Sequence, residues 1–390
     1  MQYNNEDSIK SNLAERQTRA RDFGVFFQGE TGRLNSIQDV PEVGVGYYTI
    51  SESGLRHTGV TAIIPKIKNL TIPCAAATFS LNGNGEMTGR TWIEESGALS
   101  GPICLTSTSA VGIVHRAVLD WLNQKHADCG SQWLLPVVAE TYDGYLSNLN
   151  GQCHIHADHV FSALDSAENC CKTQCISEGS VGGGAGMNSF GYKAGSGTSS
   201  RVVTHGSSTY TVGVFVQSNF GRRSELTIAG VPLGHQLCDD NPMSSFFSSD
   251  PVMAAIPTEG SGSIIAVVAT DAPLLPLQLK AMAKRVSLGI ARTGSICSHF
   301  SGDIFIAFST ADQQGALSSC FPGVATDQDY ESLRFIPWGH MDKFFSATVQ
   351  ATEEAIVNAL FASRDTIGFN NRRSPGLPID RVVALISTRT

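Results

Sequence analysis

Residues 263–270, SIIAVVAT, restrict the fold of this chain most, because they are almost continuously apolar and rich in β-branched side chains. A strand with one face in water alternates apolar and polar residues, whereas an unbroken apolar run indicates a strand that is covered on both faces. The run YTVGVFVQ at residues 210–217 has the same character. Two such strands predict a sheet with a packed layer on each side.

The other periodic segments indicate which layers flank this sheet. Apolar residues at helical spacing predict amphipathic helices, and short β-rich runs between turns predict further strands. The predicted helices are residues 109–124, 159–167, 277–291 and 340–363, and the further strands are residues 43–50, 60–64, 134–140 and 304–309. Because no strict βαβ repeat is present, we expect the α+β class. The predicted architecture is an αββα sandwich, in which helices flank two β-sheet layers.

The chain has 390 residues, a length that one large layered domain can reach. Residues 1–21 are polar and lack periodicity, which predicts a flexible N-terminal arm. We expect a single αββα domain in two parts, residues 22–262 and 263–390. Residues 237–262 are rich in Asp, Pro, Ser and Gly and are predicted to form a linker between these parts.

Charge and hydropathy exclude two classes of partner. The formal net charge of −8 opposes a general nucleic-acid binder, which needs concentrated Lys and Arg. No run approaches the roughly 18 apolar residues of a membrane span, and the N-terminus lacks the apolar core of a secretory signal. We therefore expect a cytoplasmic protein without membrane or nucleic-acid partners.

Ten cysteines are spread along the chain, and we expect reduced thiols rather than a disulfide framework. The cluster Cys170, Cys171 and Cys175 follows three histidines, which raises the question of a metal site. Its CCxxxC spacing matches no strong zinc pattern, and the histidines are loosely arranged around it. A helix end with ordinary thiols is favoured over a metal site.

A glycine-rich stretch at residues 180–201 resembles a phosphate-binding loop only superficially. It lacks the Gly-Lys-Ser/Thr ending of a P-loop and the strand-to-helix context of a dinucleotide site. Glycines that allow tight turns and close backbone packing are the favoured interpretation.

The linker ends in Glu-Gly-Ser-Gly-Ser and runs directly into the strand at residue 263. This junction places a serine hydroxyl beside a glycine carbonyl, as an N→O acyl shift requires, and glycine has no Cβ to hinder attack. Hydrolysis of the ester would free an α-amine, with a reference pKa of about 7.7–8.0, that could act as base for its own side chain. Gly-Ser loops before strands are common, so a simple turn is the alternative.

Motifs along the whole chain bear on this choice. Around the junction they are GSIIAVVATDAPLLPLQL at 262–279, ARTGS at 291–295 and SGDIFIAFST at 301–310. The others are NGNGEMTG at 82–89, WIEESG at 92–97, PVVAETYDG at 136–144, SVGGGAGM at 180–187, TVGVFVQSNFG at 211–221 and QATEEAIVNAL at 350–360. In this order they closely resemble the L-aminopeptidase/D-esterase (DmpA-type) family, which includes β-aminopeptidases. The resemblance covers most of residues 20–365 and implies an αββα fold, self-cleavage into α and β chains, and a serine nucleophile that begins the β chain.

Two junctions, Gly260-Ser261 and Gly262-Ser263, fit such a cleavage. In the family the serine directly precedes an Ile-Ile strand, which selects cleavage between Gly262 and Ser263 and makes Ser263 the nucleophile. Ser261 stays as the alternative.

Ser301 and Asp303 stand two positions apart at the start of a strand, so their side chains can share one face. The resemblance implies that this serine and acid hydrogen-bond to the nucleophile and orient it. Many family members carry glutamate where this chain has Asp303, and the shorter side chain changes the reach of the carboxylate.

The resemblance also implies roles for three residues outside the β chain. Asn219 corresponds to the oxyanion donor, and Tyr142 to a tyrosine that lines the site and assists the tetrahedral intermediate. Glu140 matches an acidic position and is our candidate for binding the free ammonium of the substrate. Their structural alternatives are a turn asparagine, a buried tyrosine and a strand-end glutamate.

The predicted function is a serine aminopeptidase that releases N-terminal residues from short peptides, amides or esters through an acyl-enzyme on Ser263, without metal or cofactor. Amines could intercept the acyl-enzyme, so aminoacyl transfer is included. The resemblance further implies a homo-oligomer of αβ units. The alternatives are an acyltransferase of the ornithine acetyltransferase type, which typically uses threonine at the break, and an uncleaved non-enzymatic homologue.

Overall fold

A computed structural model of the chain describes residues 18–70, 72–126, 134–149, 153–244, 262–311, 324, 326 and 333–388. Over these residues, two large β-sheets stack face to face and helices cover both outer faces. The structure confirms the predicted αββα sandwich of the α+β class.

The first sheet has four strands, and helices α2 (Val111–Lys125) and α3 (Ala157–Glu168) pack on its outer face. In spatial order its strands are β1 (Gly44–Glu52), β2 (Arg56–Ile64), β5 (Ile103–Ser107) and β6 (Val137–Thr141). Only its last pair, β5 with β6, is parallel.

The second sheet has six strands, and helices α4 (Pro276–Arg292) and α5 (Asp342–Phe361) cover its outer face. In spatial order its strands are β4 (Ala98–Leu99), β3 (Cys74–Ser80), β14 (Ser301–Ser309), β13 (Gly262–Thr270), β10 (Ser208–Asn219) and β9 (Ser196–His205). The central pair, β13 with β14, is parallel, so both strands start at the same edge of the sheet.

Smaller elements complete the described part of the chain. They are helices α1 (Arg90–Ser96) and α6 (Ile379–Ser387) and the short strand pairs β7 (Asn188–Ser189) with β8 (Tyr192–Lys193), β11 (Thr227–Ile228) with β12 (Val231–Pro232), and β15 (Thr366–Ile367) with β16 (Arg373–Ser374).

Strand β13 has no polar alternation because both of its faces are buried. Ile264, Ala266 and Val268 point towards the helices α4 and α5, whereas Ile265 and Val267 point into the core between the two sheets. Each fully buried isoleucine or valine side chain contributes roughly 1.5–3 kcal/mol. The central strand thus ties the two hydrophobic layers of the molecule together.

The glycine-rich stretch packs against the first sheet. Gly182 and Gly183 donate their N–H groups to the hydroxyls of Thr49 and Thr61. A Cβ on Gly183 would lie 2.1 Å from the side-chain oxygen of Gln217, so a larger residue does not fit. These N–H groups are used within the fold, in agreement with close packing and against a phosphate cradle.

The N-terminal segment docks earlier than the sequence indicates. Residues 1–17 lie outside the described residues, but Arg19 pairs with the buried Glu178 at 2.5 Å and Arg21 with the buried Glu354 at 2.6 Å. Ala20 between them is fully buried. Residues 19–21 therefore belong to the folded domain rather than to the predicted arm, because two arginines that look like solvated charges are anchored by carboxylates distant in sequence.

The structure describes only residues 237–244 and 262 of the predicted linker. Residues 238–240 are exposed, in line with a surface loop, but residues 245–261, including the alternative nucleophile Ser261, lie outside the described part. Among the described residues no helix combines the length and the apolar character that crossing a bilayer requires.

Candidate active site

Ser263 lies at the start of β13, where the central strands meet the edge of the sandwich. Its side chain shares the face of Ile265, towards the space between the sheets, and only 5% of the residue is exposed. The Ser263 hydroxyl donates to the carbonyl oxygen of Gly262 at 2.7 Å and accepts from the Gly302 N–H at 3.3 Å. The hydroxyl is therefore held against the peptide bond that precedes it.

Gly262 can only be glycine in this geometry. A Cβ at this position would lie 2.0 Å from the carbonyl oxygen of Asn219 and 3.0 Å from the Cα of Phe220. Because Gly262 has no Cβ, its own side chain cannot hinder attack on its carbonyl carbon. The glycine that the sequence pattern associates with cleavage is thus also required by packing against β10.

Ser301 and Asp303 lie on one face of β14, as the spacing predicts, and both are buried. That face is directed towards the helices, because Asp303 is paired with Ile264 rather than with Ser263 in the parallel register. The Ser301 hydroxyl donates to Asp303 Oδ1 at 2.6 Å. Among the described residues neither side chain hydrogen-bonds the Ser263 hydroxyl, so in this structure the pair approaches the backbone beside the nucleophile instead.

Asp303 is held by more partners than the sequence indicates. Asn82 Nδ2 donates to Asp303 Oδ2 at 2.8 Å, and Cys297 and the backbone at Ile264 also hydrogen-bond to this carboxylate. Burial raises the pKa of Asp303, and the hydrogen bonds from Ser301 and Asn82 oppose that rise. The short aspartate side chain is therefore fully engaged.

Asn219 faces Ser263 directly across the β10–β13 pair. Its Oδ1 accepts from the Asn188 N–H at 2.9 Å, and its Nδ2 donates to the backbone carbonyl of Tyr142 at 3.0 Å. A side-chain amide carries two N–H groups, and these contacts use one of them. The amide is fixed in orientation and retains a donor beside the nucleophile.

Tyr142 follows β6 and is 53% exposed, so the alternative of a buried structural tyrosine does not apply. Its phenol lies over Gly144, where a Cβ would come 2.2 Å from the phenol oxygen. Burial of its inner part and the nearby Asp143 raise the pKa of Tyr142, which keeps the phenol protonated and able to donate at neutral pH.

Glu140 is the penultimate residue of β6 and is 4% exposed. Its Oε1 accepts from the Glu86 N–H at 3.0 Å, and its Oε2 accepts from the Thr108 hydroxyl. Burial raises the pKa of Glu140, while these two hydrogen bonds lower it. A buried carboxylate with a raised pKa is stabilised when a cation arrives beside it.

A loop at residues 82–87 connects these groups. A Cβ on Gly85 would lie 3.1 Å from the Cα of Gly302 and 3.3 Å from Glu140 Oε1. Gly85 therefore packs between Gly302, whose N–H contacts Ser263, and the Glu140 carboxylate. Asn82 from the same loop binds Asp303. The structure thus brings all the predicted site residues to one edge of the sandwich.

Four contributors were not assigned from the sequence: Asn82, Thr108, Asn188 and the backbone N–H of Gly302. The motif NGNGEMTG was a signal for Asn82, since it places an asparagine in a loop after β3. A backbone N–H carries no sequence signal at all.

The cysteine cluster does not join the site. Cys171 and Cys175 are free cysteines at exposed positions. Within the described ranges, no three His, Cys, Asp or Glu side chains converge as the ligands of an ion would.

Known proteins are similar to this chain over most of its length. Residues 35–374 match peptidase family S58. This chain belongs to peptidase family S58. β-Peptidyl aminopeptidase BapA of Sphingosinicella microcystinivorans is 41% identical over 377 residues, which are 94% of this chain and 91% of the relative.

Solved structures show the same similarity in three dimensions. The L-aminopeptidase D-Ala-esterase/amidase of Ochrobactrum anthropi, described as a variant of the Ntn-hydrolase fold, superimposes with a TM-score of 0.84 at 39% identity over 95% of this chain and 98% of that one. The β-aminopeptidase of a Burkholderia species gives 0.82 at 38% identity over 95% and 99%. The protein is thus a serine aminopeptidase with the N-terminal-nucleophile hydrolase fold, and the comparisons do not favour the acetyltransferase or the non-enzymatic alternative.

Proposed function

We propose that the chain cleaves itself between Gly262 and Ser263 and that Ser263 then serves as the nucleophile. The observation that carries this proposal is the 2.7 Å contact of the Ser263 hydroxyl with the Gly262 carbonyl oxygen. Ser263 Oγ attacks the carbonyl carbon of Gly262, the C–N bond breaks, and the proton passes to the departing nitrogen. Water then hydrolyses the ester, which leaves a Gly262 carboxylate and a Ser263 with a free α-amine and hydroxyl.

In turnover, the neutral α-amine of Ser263 takes the hydroxyl proton as Oγ attacks the substrate carbonyl. The oxyanion accepts the remaining N–H of Asn219, a contact of the kind that contributes about 3 kcal/mol to transition-state stabilisation, and the Tyr142 phenol donates to the same intermediate. The protonated α-amine returns its proton to the leaving amine. Water, or a second amine in a transfer reaction, then removes the acyl group.

Glu140 is proposed to bind the free ammonium of the substrate. It is a buried carboxylate whose two oxygens are oriented by a backbone N–H and a hydroxyl, and it carries no cationic partner among the described residues. An incoming ammonium would supply that partner and lower the pKa of Glu140. This role restricts the enzyme to substrates with an unblocked N-terminus.

The names of the relatives suggest the substrate class. They include β-peptidyl aminopeptidases and an L-aminopeptidase with esterase and amidase activity. We propose that this enzyme releases N-terminal β-amino acids and small L-amino acids from short peptides, amides and esters, in the cytoplasm, as a homo-oligomer of cleaved αβ units. Ser301 and Asp303 are proposed to orient the backbone and the new α-amine of Ser263.

Kinetic assays with matched substrates test this function. β-Alanyl and L-alanyl p-nitroanilides should be hydrolysed, whereas their N-acetylated forms and N-acetylornithine should not. Ser263→Ala should abolish the activity, and Ser261→Ala should retain it. Consumption of N-acetylornithine, or equal rates for the free and N-acetylated anilides, would contradict the proposal.

A further inference from the structure

Lys193 is a fully buried lysine close to the candidate site, and it takes no part in the proposed reaction. It ends β8, in register with Asn188 of β7. Its Nζ donates to the carbonyl oxygens of Met187 at 2.9 Å and Ala194 at 2.7 Å. Within the described residues no carboxylate forms an ion pair with it, and burial lowers the pKa of Lys193 to about 7.

The two carbonyls do not need this lysine. Met187 O also accepts from the Ala194 N–H at 3.0 Å, and Ala194 O also accepts from the Ser363 hydroxyl at 3.1 Å. Burying an ammonium without a counter-ion costs several kcal/mol. Hairpin closure alone therefore gives no reason for a charged residue at this position.

One peptide group connects Lys193 to the site. The carbonyl of Met187 accepts from Lys193, and the N–H of the same peptide group, on Asn188, donates to Asn219 Oδ1 at 2.9 Å. Hydrogen bonds in such a chain polarise one another, because a cation at the carbonyl makes the N–H a stronger donor. The next link is the Asn219 amide, whose N–H groups then become stronger donors in turn.

We propose that Lys193 is a positioning residue that polarises Asn219, through the Met187–Asn188 peptide group, as the donor to the oxyanion. The inference rests on the proposed function, since it deepens the role given there to Asn219. Lys193 acts in its protonated form, which is lost as the pH rises through its pKa of about 7. In the buried environment its positive charge is weakly screened, and it favours a state in which negative charge develops on the substrate carbonyl oxygen. Ground-state binding gains little from it, so the effect belongs to kcat.

The test compares Lys193→Met and Lys193→Gln with Asn219→Ala and with the Lys193→Met/Asn219→Ala double variant, using β-alanyl p-nitroanilide at a pH no higher than about 7, where Lys193 carries its charge. Rates are normalised to the cleaved fraction, measured by intact mass, and thermal unfolding checks the fold. We expect Lys193→Met to lower kcat about tenfold with KM unchanged, a fraction of the loss from removing an oxyanion donor. In the Asn219→Ala background the same change should have little further effect, because coupled residues are not additive.

Lys193→Gln separates charge from hydrogen bonding and is the second variant if Lys193→Met does not fold. Its amide can still donate to a carbonyl but carries no charge, so it should lose kcat as Lys193→Met does. A kcat equal to wild type in the folded variants, a change confined to KM, or an equal loss in the Asn219→Ala background would overturn the inference while Asn219→Ala alone still supports the proposed function. If the wild type is no faster than Ser263→Ala, the proposed function itself fails and the inference fails with it.

Discussion

Two buried clusters of charge, one under helix α5 and one beside Ser263, are built differently. Under α5, Glu354 is paired with Arg201 at 2.6 Å and Arg21 at 2.6 Å, and the arginines hold its pKa below the usual range against the effect of burial. Beside Ser263, burial raises the pKa of both Glu140 and Asp303, and no arginine, lysine or histidine in the described part of the chain pairs with either.

The presence or absence of an ion-pair partner distinguishes a buried carboxylate that stabilises the fold from one that takes part in function. A buried carboxylate that is fully matched by guanidinium groups fixes the fold, here by anchoring the N-terminal segment and β9 to α5. Unmatched buried charges cost stability and are retained where an outside charge must be met, which is why perturbed pKa values concentrate at functional sites. By this criterion Glu140, Asp303 and Lys193 are buried groups with a functional role, whereas Glu354 has a structural role.

The largest expected effect is on stability, at the matched cluster. Glu354→Gln leaves the buried Arg201 and the partly exposed Arg21 without their counter-charge, so the free energy of unfolding should fall by about 3–5 kcal/mol. Denaturant titration measures this loss, and kcat per cleaved molecule should stay at the wild-type value.

The neighbouring acid provides the control for that variant. Glu353 pairs at 3.1 Å with Arg292, which is 42% exposed, so Glu353→Gln should cost less than about 1 kcal/mol. If Glu354→Gln and Glu353→Gln lowered the free energy of unfolding equally, the buried Glu354 cluster would be no more important for stability than the exposed Glu353–Arg292 pair.

The second effect is on substrate recognition, at the unmatched cluster. Glu140→Gln keeps the shape and removes the charge that meets the substrate ammonium, so kcat/KM for free aminoacyl anilides should fall about 100-fold, the equivalent of about 3 kcal/mol for a charged hydrogen bond. Stability should rise or stay constant, because a buried unpaired charge is lost. If Glu140→Gln lost as much stability as Glu354→Gln and kept its kcat/KM, Glu140 would have a structural role and not a role in substrate binding.

A smaller effect is expected at Asn82. Its amide donates to Asp303 Oδ2 at 2.8 Å, and Asn82→Ala should raise the pKa of Asp303 further and slow both self-cleavage and turnover about tenfold, in line with one hydrogen bond to a charged group. Asn84→Ala, an exposed position in the same loop, is the matched control and should leave both rates unchanged. Equal rates for both variants would mean that the Asp303 carboxylate is held without Asn82.

The smallest effect is a shift in pH dependence. Because burial raises the pKa of Glu140, the ammonium site loses its charge as the pH falls through a range above that of an ordinary glutamate, and KM should rise there. The negative charge of Glu86 adds to this rise in pKa. Glu86→Gln should therefore lower the pKa of Glu140 and move the acidic limb of kcat/KM to lower pH; an unchanged limb would show that another group sets it.

How far the sequence predicts this molecule depends on whether the deciding contacts are local. Strand β13 was predicted at 263–270 and is observed at Gly262–Thr270. The prediction succeeded because burial on both faces requires apolar residues at every position of the strand itself. Strand β9 was missed, since its serines and glycine look like loop residues. Gly197 is there because a Cβ would lie 2.0 Å from Ala355 O of α5.

The same limit applies to the site. Ser263, Asn219 and Asp303 could be found from motifs, but the face on which Asp303 lies follows from the parallel register with β13, which no local pattern contains. From the sequence, Lys193 looks like an ordinary solvent-exposed lysine in a glycine-rich loop. Its burial depends on strands and loops that are distant in sequence, so its charge becomes informative only in the folded structure.

Self-cleavage before Ser263 is tested most directly by the N-terminal sequence and intact mass of the purified protein, measured beside Ser263→Ala and Ser261→Ala. We predict a smaller fragment that begins Ser263-Ile264-Ile265 in the wild type and in Ser261→Ala, and an intact chain in Ser263→Ala. An active wild-type protein that remains one chain, or a fragment that begins at Ser261, would contradict this prediction.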